Sequence, residues 1–555
     1  SASDSEASAD AQVETRSVAV IGYDTSSSFG SDAEGVEEVV VTGIRRSLAD
    51  AINIKRNNVG IVDAITAEDF GKFPDGNLAE SLSRLVGIGI DRSNVEGARV
   101  AVRGFGPELN LVTLNGRQMP TVPGQNEGGR SFNFGDISSH GIAAVEVYKS
   151  VNSALPSGGI GAAVNMVTTK PLDIEGTLTS GSFNVLEDSS SKDSSRPYEA
   201  AFVHSANKGN WGYAISGSIQ ERNNREEGTR ESNWITVEDM LPLDGYCCRV
   251  DKNAAGITNG NTRADGKTFY QEPSGYLIKD NDRERVNAQG SLQYDFEKAR
   301  ATIDYTYSKV DFSSNGQTFG SWLGGWGTTA GTINQNGVYT DVTVAGRGYD
   351  HNLIWGNTES ENKSLGFNLD IQHSDALSIE IDYHNSSAEK IGTELPNEMG
   401  FVTPADAVIT HTNGGASGIN TFNYSRDFTV NDFSHSGLIY RDASKNNDME
   451  QLQLKGEWLN LEGGFLKSIE FGFSTVESEF SDMRSELNTA ISPVTASSDL
   501  FTRTPLKDFM DGFNTSFGSS FYYFAIDAAA AKNNWQVNVA PFDAGQVDTN
   551  DRVSE

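Results

Sequence analysis

From Trp211 onward, apolar side chains recur at every second position. Trp211, Tyr213, Ile215, Gly217 and Ile219 alternate with Gly, Ala, Ser, Ser and Gln. Leu292, Tyr294 and Phe296 follow the same rule, then Ile303, Tyr305 and Tyr307 against Asp304, Thr306 and Ser308. Leu365, Phe367, Leu369 and Ile371 repeat it, as do Leu377, Ile379, Ile381 and Tyr383, and finally Leu452, Leu454, Trp458 with Ile469, Phe471, Phe473. Period-two patterning predicts strands with one apolar face. The runs are paired across links such as Glu297-Lys298 and Ser374-Asp375, and long polar stretches separate the pairs. Short turns at one end and long loops at the other is the layout of a membrane barrel. A soluble antiparallel sandwich alternates equally well.

Upstream the pattern is mixed. Asn77-Leu-Ala-Glu80 predicts a helix start, with Asn77 as N-cap and Glu80 at the capping-box position. Leu78, Leu82 and Leu85 then share one face, and Gly87 ends the run. Val100 and Val102 predict a strand leading into Arg103-Gly104. Leu111, Val112 and Leu114 predict another, running into Asn115-Gly116, a pair favoured in tight hairpins. Val145 and Val147, then Val164 and Met166, complete a small mixed α/β domain.

Composition narrows the classes. The 555 residues allow two or more domains. A net charge of −33 argues against a phosphate-backbone partner, so no nucleic acid is expected. Gly is abundant at 57 and Pro scarce at 14, which suits strands joined by turns. No apolar run reaches the ~18 residues of a membrane helix. A barrel strand needs only ~10, half of them polar, so a mean hydropathy of −0.42 is compatible with one. The chain opens at Ser1 without a basic, apolar leader, as a processed form would. The two cysteines, Cys247 and Cys248, are adjacent. A vicinal disulfide would be strained, with Cα atoms ~3.8 Å apart, so cysteine does not staple the fold.

Catalytic signals are missing. Gly158-Gly-Ile-Gly161 is followed by β-like sequence rather than a helix, so a phosphate-binding loop is not expected. The seven His show no zinc spacing, there is no Gly-x-Ser-x-Gly elbow, and no carboxylate pair stands out. No enzyme, cofactor or metal is expected. Arg103 and Arg117 are the notable charges of the α/β region, and Glu146 is a carboxylate near them in the strand order. Trp322 and Trp326 lie in an apparent loop, where aromatic faces stack on sugars or sit at a membrane interface.

The order Ile61-Val-Asp-Ala-Ile65, Leu85-Val-Gly-Ile-Gly-Ile90, Val102-Arg-Gly-Phe-Gly106, Leu111-Val-Thr-Leu-Asn-Gly-Arg117, Val145-Glu-Val-Tyr-Lys149, Gly158-Gly-Ile-Gly-Ala-Ala-Val-Asn-Met166 and Thr169-Lys-Pro171 resembles the plug of TonB-dependent outer-membrane receptors. Tyr148-Lys-Ser150 and Leu155-Pro-Ser-Gly-Gly159 resemble the long branch found in Caulobacter and Xanthomonas. The resemblance implies a plug inside an antiparallel transmembrane β-barrel of ~22 strands. About 10–12 candidate strands are present, so the chain reads as an N-terminal part of a receptor of roughly 900–1000 residues. The expected division is a disordered tail over 1–35, a TonB box at 36–43, a plug over 44–172 and barrel over 173–555 with long extracellular loops.

The resemblance also implies partners. Glu37, Glu38, Val39, Val40, Val41 and Thr42 would form the TonB box, an extended segment that TonB takes up by β-augmentation, the alternative being the first strand of the plug itself. Arg103, Arg117 and Glu146 would seat the plug, since buried plug charges need partners. An ordinary exposed ion pair fits Arg117 equally well, and Arg103 less well. The expected role is TonB-dependent uptake of a scarce nutrient across the outer membrane of a Gram-negative bacterium. Plug and N-terminus would face the periplasm, and the inner-membrane partners of TonB would supply energy. A carbohydrate, an oligosaccharide meeting Trp322 and Trp326, is the expected ligand, with a ferric siderophore as alternative. A TonB-linked surface sensor and a soluble β-rich binding protein or adhesin are the rivals from other classes.

Overall fold

Period-two alternation governs most of this chain, and the computed structural model carries it into one long sheet and one small domain. The structure describes residues 16–20, 49–56, 58, 60–67, 77–93, 96–122, 131–150, 155–191, 196–237, 252–321, 327–392, 395–413, 419–506, 509–510, 522–535 and 548–554. The predicted TonB box, Cys247, Cys248, Trp322 and Trp326 lie outside the described residues.

The small domain begins with a helix, α1, over 49–56. Then come β1 (Val62–Thr66), α2 (Leu78–Leu82), β2 (Ile88–Ser93), β3 (Glu96–Val102), β4 (Asn110–Leu114), β5 (Arg117–Gln118), β6 (Ile142–Tyr148) and β7 (Ala162–Thr168). Five of the strands form a mixed sheet in the order β1-β6-β7-β4-β5, with β4 and β7 parallel, and β2 and β3 form a separate hairpin. Leu78, Leu82, Val102, Ile142, Val147, Val164 and Met166 are its core, each no more than marginally exposed. Asn77 caps α2, its side chain accepting from the Ala79 amide at 2.8 Å. Glu80 does not complete the capping box. The helix is only five residues long, and the carboxylate instead accepts from the Gly97 amide at 3.1 Å and from Arg92 at 2.9 Å, tying the helix to the β2–β3 hairpin. Asn115 and Gly116 have φ of 54° and 80°, the left-handed pair of a type I′ turn, which brings Arg117 back opposite Leu114.

The large sheet runs β8 (Thr177–Val185), β9 (Tyr198–Asn207), β10 (Trp211–Thr236), β11 (Phe269–Asp295), β12 (Ala299–Gly320), β13 (Asp350–Ser374), β14 (Leu377–Gly392), β15 (Ser434–Leu459) and β16 (Ser468–Thr495). Every neighbour follows in sequence and pairs antiparallel. Asn397–Val402 fills the space between β13 and β15 beyond the end of β14. Asp548–Ser554 pairs with β16 at one edge. At the other edge Arg16–Val20 pairs with β8, so this part of the expected disordered tail is a strand. Strands such as β10 and β15, at 26 residues each, span ~85 Å at ~3.3 Å per residue, far more than the ~30 Å hydrocarbon core of a bilayer.

The side chains on this sheet reverse the usual rule. Ile215, Leu292, Ile303, Tyr305, Leu365, Leu452 and Phe473 are exposed, while Ser291, Gln293, Thr302, Asp304, Ser308, Ser364, Asp382, Gln451 and Gln453 are buried. On β12 the two sets interleave residue by residue, with Ile303 48% exposed and Asp304 2%. The buried polar face packs on the small domain, and the apolar face is left outward. A soluble sandwich needs the opposite arrangement. Trp211, Tyr294, Phe296 and Trp458 collect at the short-turn end of the apolar belt, and Tyr305 and Tyr307 lie toward the other, as interface aromatics do.

At the far end of the strands, the connections expected as long loops fold into a head with its own core. A five-stranded sheet (256–259, 328–333, 339–347, 407–412 and 421–424), a two-stranded sheet (501–505 and 522–526) and the helix α3 (Ala528–Asn534) enclose it. Tyr276, Phe319, Tyr349, Trp355, Phe401, Phe433, Phe501, Phe524 and Trp535 pack there. Phe433 and Phe501 stack at 4.5 Å, and Phe524 meets Phe433 edge-on at 4.9 Å.

Candidate functional site: the contact between plug and sheet

The type I′ turn sends Arg117 out of the small domain into the polar face of the large sheet. The guanidinium is 2% exposed. Nη1 donates to Asp304 Oδ1 and Oδ2 at 2.7 and 2.8 Å, while Nε and Nη2 donate to Asp382 Oδ1 and Oδ2, each at 2.8 Å. Asp304 lies on β12 and Asp382 on β14, so the two carboxylates bracket β13. Between them β13 carries Gly366, paired with Asp304, and a Cβ there would overlap the guanidinium. Asn115 and Asn368 add donors to Asp304 and Asp382 at 3.4 and 3.1 Å. Burial opposes the charge on Arg117, but its hydrogen bonds to Asp382 and the fields of both aspartates outweigh it and raise the pKa above the ordinary value. Lys170, where the small domain passes into the sheet, is acted on by the same groups. Its pKa is lowered, chiefly by burial.

The remaining contacts run along the whole interface. Gln118 N donates to Gln451 at 2.9 Å, Asn447 donates to the Thr121 carbonyl at 3.0 Å, and Arg285 donates to the Gly135 carbonyl at 2.6 Å. Ser138 N donates to Asn287 at 3.1 Å, and Leu172 N to Gln293 at 3.0 Å. A second charge cluster forms at Glu96, which pairs with Arg283 on β11 and lies 3.6 Å from Arg222 on β10. Burial opposes ionisation of Glu96, but Arg283, Arg285 and Arg222 override it and hold its pKa at about 2, below the ordinary 4.5. The sign follows. A carboxylate depressed in the folded state stabilises fully above pH 4.5, and that contribution is lost as pH falls toward 2. Glu96→Gln is therefore expected to flatten the acid dependence of stability across that window. Thermal melts of both forms at steps from pH 5 to 2 check it.

Arg103 sits elsewhere. It holds a left-handed φ of 53° after β3 and donates to the backbone carbonyls of Lys149 and Gly161, the latter at 3.2 Å. Its partners are carbonyls of the small domain, not the carboxylate expected from sequence. It ties the end of β6 to the approach to β7 instead of reaching the sheet. Glu146 accepts from Tyr148 Oη at 2.8 Å and Asn165 Nδ2 at 3.1 Å, and neither arginine is its partner. Of the three charges, only Arg117 crosses to the large sheet. Asp304, Asp382 and Gly366 were missed from sequence, although a Gly inside an otherwise regular strand is a signal of close approach. A recess of about 650 Å³ lies further along the strands, lined by Glu221, Glu284, Asp311, Trp355, Glu359 and Tyr440 among others. By register, Asp311 and Glu359 share the face of Tyr305 and Leu365 rather than that of Asp304. Among the described residues no group of three or more His, Cys, Asp or Glu is arranged to hold a metal.

An outward apolar belt on antiparallel strands, with a separate domain seated on the polar face, defines a membrane β-sheet protein that carries a plug. Among the described residues, no helix is long and apolar enough to cross a membrane. Residues 54–164 match the family model of the TonB-dependent receptor plug domain. That stretch is a TonB-dependent receptor plug domain, seated on the polar face of the long antiparallel sheet. Comparison with curated proteins gives no match. Solved structures with similar arrangement include the siderophore receptor PirA from Acinetobacter baumannii, at 12% identity and TM-score 0.26 over 82% of this chain and 83% of that one. The unliganded ferric citrate transporter FecA matches at 11% and 0.27, over 80% of each chain. The ferric-catecholate import receptor Fiu from E. coli K12, in its open form, matches at 10% and 0.30, over 79% and 78%.

Proposed function

We propose that this chain is an outer-membrane uptake receptor, energised by TonB, whose plug blocks the path of a scarce ligand until it is pulled. The observation that carries the reading is the joining of two opposite surfaces in one sheet: an apolar face for lipid, and a polar face holding the plug through Arg117. Ligand binds on the extracellular side, the segment Glu37–Thr42 becomes available in the periplasm, and TonB adds to it as a strand. Pulling on that segment loads the plug, and the buried contacts of Arg117 are what the pull works against. The sheet contains no energy source of its own, so accumulation requires this coupling. A proline in the added strand removes a ladder donor. Val40→Pro is therefore expected to abolish both uptake and crosslinking to TonB while leaving the receptor in the membrane. Survival of both activities would show that TonB engages another segment.

The ligand class is the finer question. Trp322 and Trp326, the expected sugar contacts, lie outside the described residues, and the described residues do not favour a sugar over other ligands. PirA, FecA and Fiu are, by their names, siderophore and ferric receptors, and a ferric siderophore is accordingly the first class to test, ahead of oligosaccharides. Growth of a deletion strain on a panel of iron chelates and glycans separates the two.

A further inference from the structure

One connection at the short-turn edge of the sheet is unlike its neighbours. Lys208-Gly209-Asn210, Phe296-Glu297-Lys298 and Asp375-Ala376 close their hairpins in two or three residues. The β15–β16 turn uses eight, Asn460-Leu-Glu-Gly-Gly-Phe-Leu-Lys467. Its shape is fixed from within. Asn460 Nδ2 donates to the carbonyls of Gly463 and Leu466, both at 3.0 Å, and Asn460 N donates to the Lys467 carbonyl at 2.8 Å. Gly463 and Gly464 supply φ of 81° and 131°, conformations that L side chains rarely adopt. The result is a defined turn with three large apolar side chains unpacked: Phe465 is fully exposed, Leu461 65% and Leu466 48%. A loop in water has no reason to spend ordered backbone on displaying them.

The turn continues an interface already described. Trp458 and Ile469 sit directly opposite each other at its base, on the outward apolar belt, followed by Leu454 and Phe473 two rows further in. The edge is the one where the plug chain enters the sheet, since Asp173 pairs with Arg300 at 3.3 Å just inside β12. We infer that the turn 460–467 is a lipid anchor: Leu461, Phe465 and Leu466 insert among the phospholipids of the periplasmic leaflet, below the aromatic belt. Glu462 and Lys467 stay at the headgroups. This rests on the receptor reading, because it takes the outward face to be lipid-covered.

The test uses the intact chain in phosphatidylcholine–phosphatidylglycerol vesicles, in a Cys247→Ser, Cys248→Ser background. Nitroxide labels go at Phe465→Cys, at Leu454→Cys in the belt, and at Asp375→Cys in a neighbouring short turn. Collision with dissolved oxygen and with a water-soluble nickel chelate reports depth. The expected result is several-fold preference for oxygen at positions 465 and 454, and the reverse at 375. Nickel access at 465 equal to that at 375, with 454 still oxygen-accessible, overturns the anchor and leaves the receptor reading standing. Nickel access at 454 overturns both. A label at 465 that is aqueous in vesicles and becomes shielded only on adding the periplasmic domain of TonB overturns the lipid assignment in favour of a protein partner.

Discussion

Arg117→Met is expected to weaken the seating of the plug by about 3–5 kcal/mol, the cost of breaking a buried ion pair from one side. The arginine meets both aspartates with its whole fork, and a methionine leaves Asp304 and Asp382 facing each other across Gly366 with no cation between them. Lys170 cannot substitute in kind, since an ammonium lacks the planar fork that serves two carboxylates at once. Neutralising the aspartates as well, in Arg117→Met, Asp304→Asn, Asp382→Asn, should recover most of the loss, because the penalty comes from stranded charge more than from lost attraction. Gly366→Ala should mimic the single change without altering any charge, as its methyl occupies the guanidinium's place. Plug release under denaturant, followed by protease access to the small domain, reads all three variants. Equal stability of Arg117→Met and the parent would remove Arg117 from the seat.

How much of this was legible beforehand differs by element. The turn at Asn115-Gly116 was readable because a type I′ turn is a local demand that few residue pairs meet, and that turn aims Arg117. The cap at Asn77 was readable for the same reason, but the role of Glu80 was not, because the hairpin that follows the helix folds back and offers its carboxylate the Gly97 amide and Arg92. Alternation located the strands and left open which face is buried. That depends on what lies on each side, and Ile303 and Asp304 look the same in either arrangement until the plug is placed. Arg117 was singled out, but its partners sit 187 and 265 residues away on strands whose register no local signal fixes. The head was hidden for a related reason. Tyr349, Phe433, Phe501 and Phe524 are scattered among polar stretches, and only their convergence in space makes a core of them.

Ile303→Arg separates a lipid-facing sheet from a water-facing one. Ile303 is 48% exposed and lies in the middle rows of the belt, paired with Leu292 on one side and Phe367 on the other. In water, replacing a half-exposed isoleucine by arginine on a strand surface shifts stability by roughly 0.5 kcal/mol at most. In a bilayer the same change places a charge near mid-depth, costing about 2–4 kcal/mol after the side chain has reached for the interface. Tyr307, two rows along the same strand toward the head, offers the internal control: Tyr307→Arg stands beside Lys309 and Glu361, where the belt gives way to polar residues and the cost falls to about 0–1 kcal/mol. Folding free energies of the three chains in the same phospholipid, from reversible urea titration, give the comparison directly. A large penalty at 303 with little at 307 fixes both the lipid contact and its depth. Penalties alike and small at both positions would return the sheet to water, and with it the premise that the plug closes a membrane path.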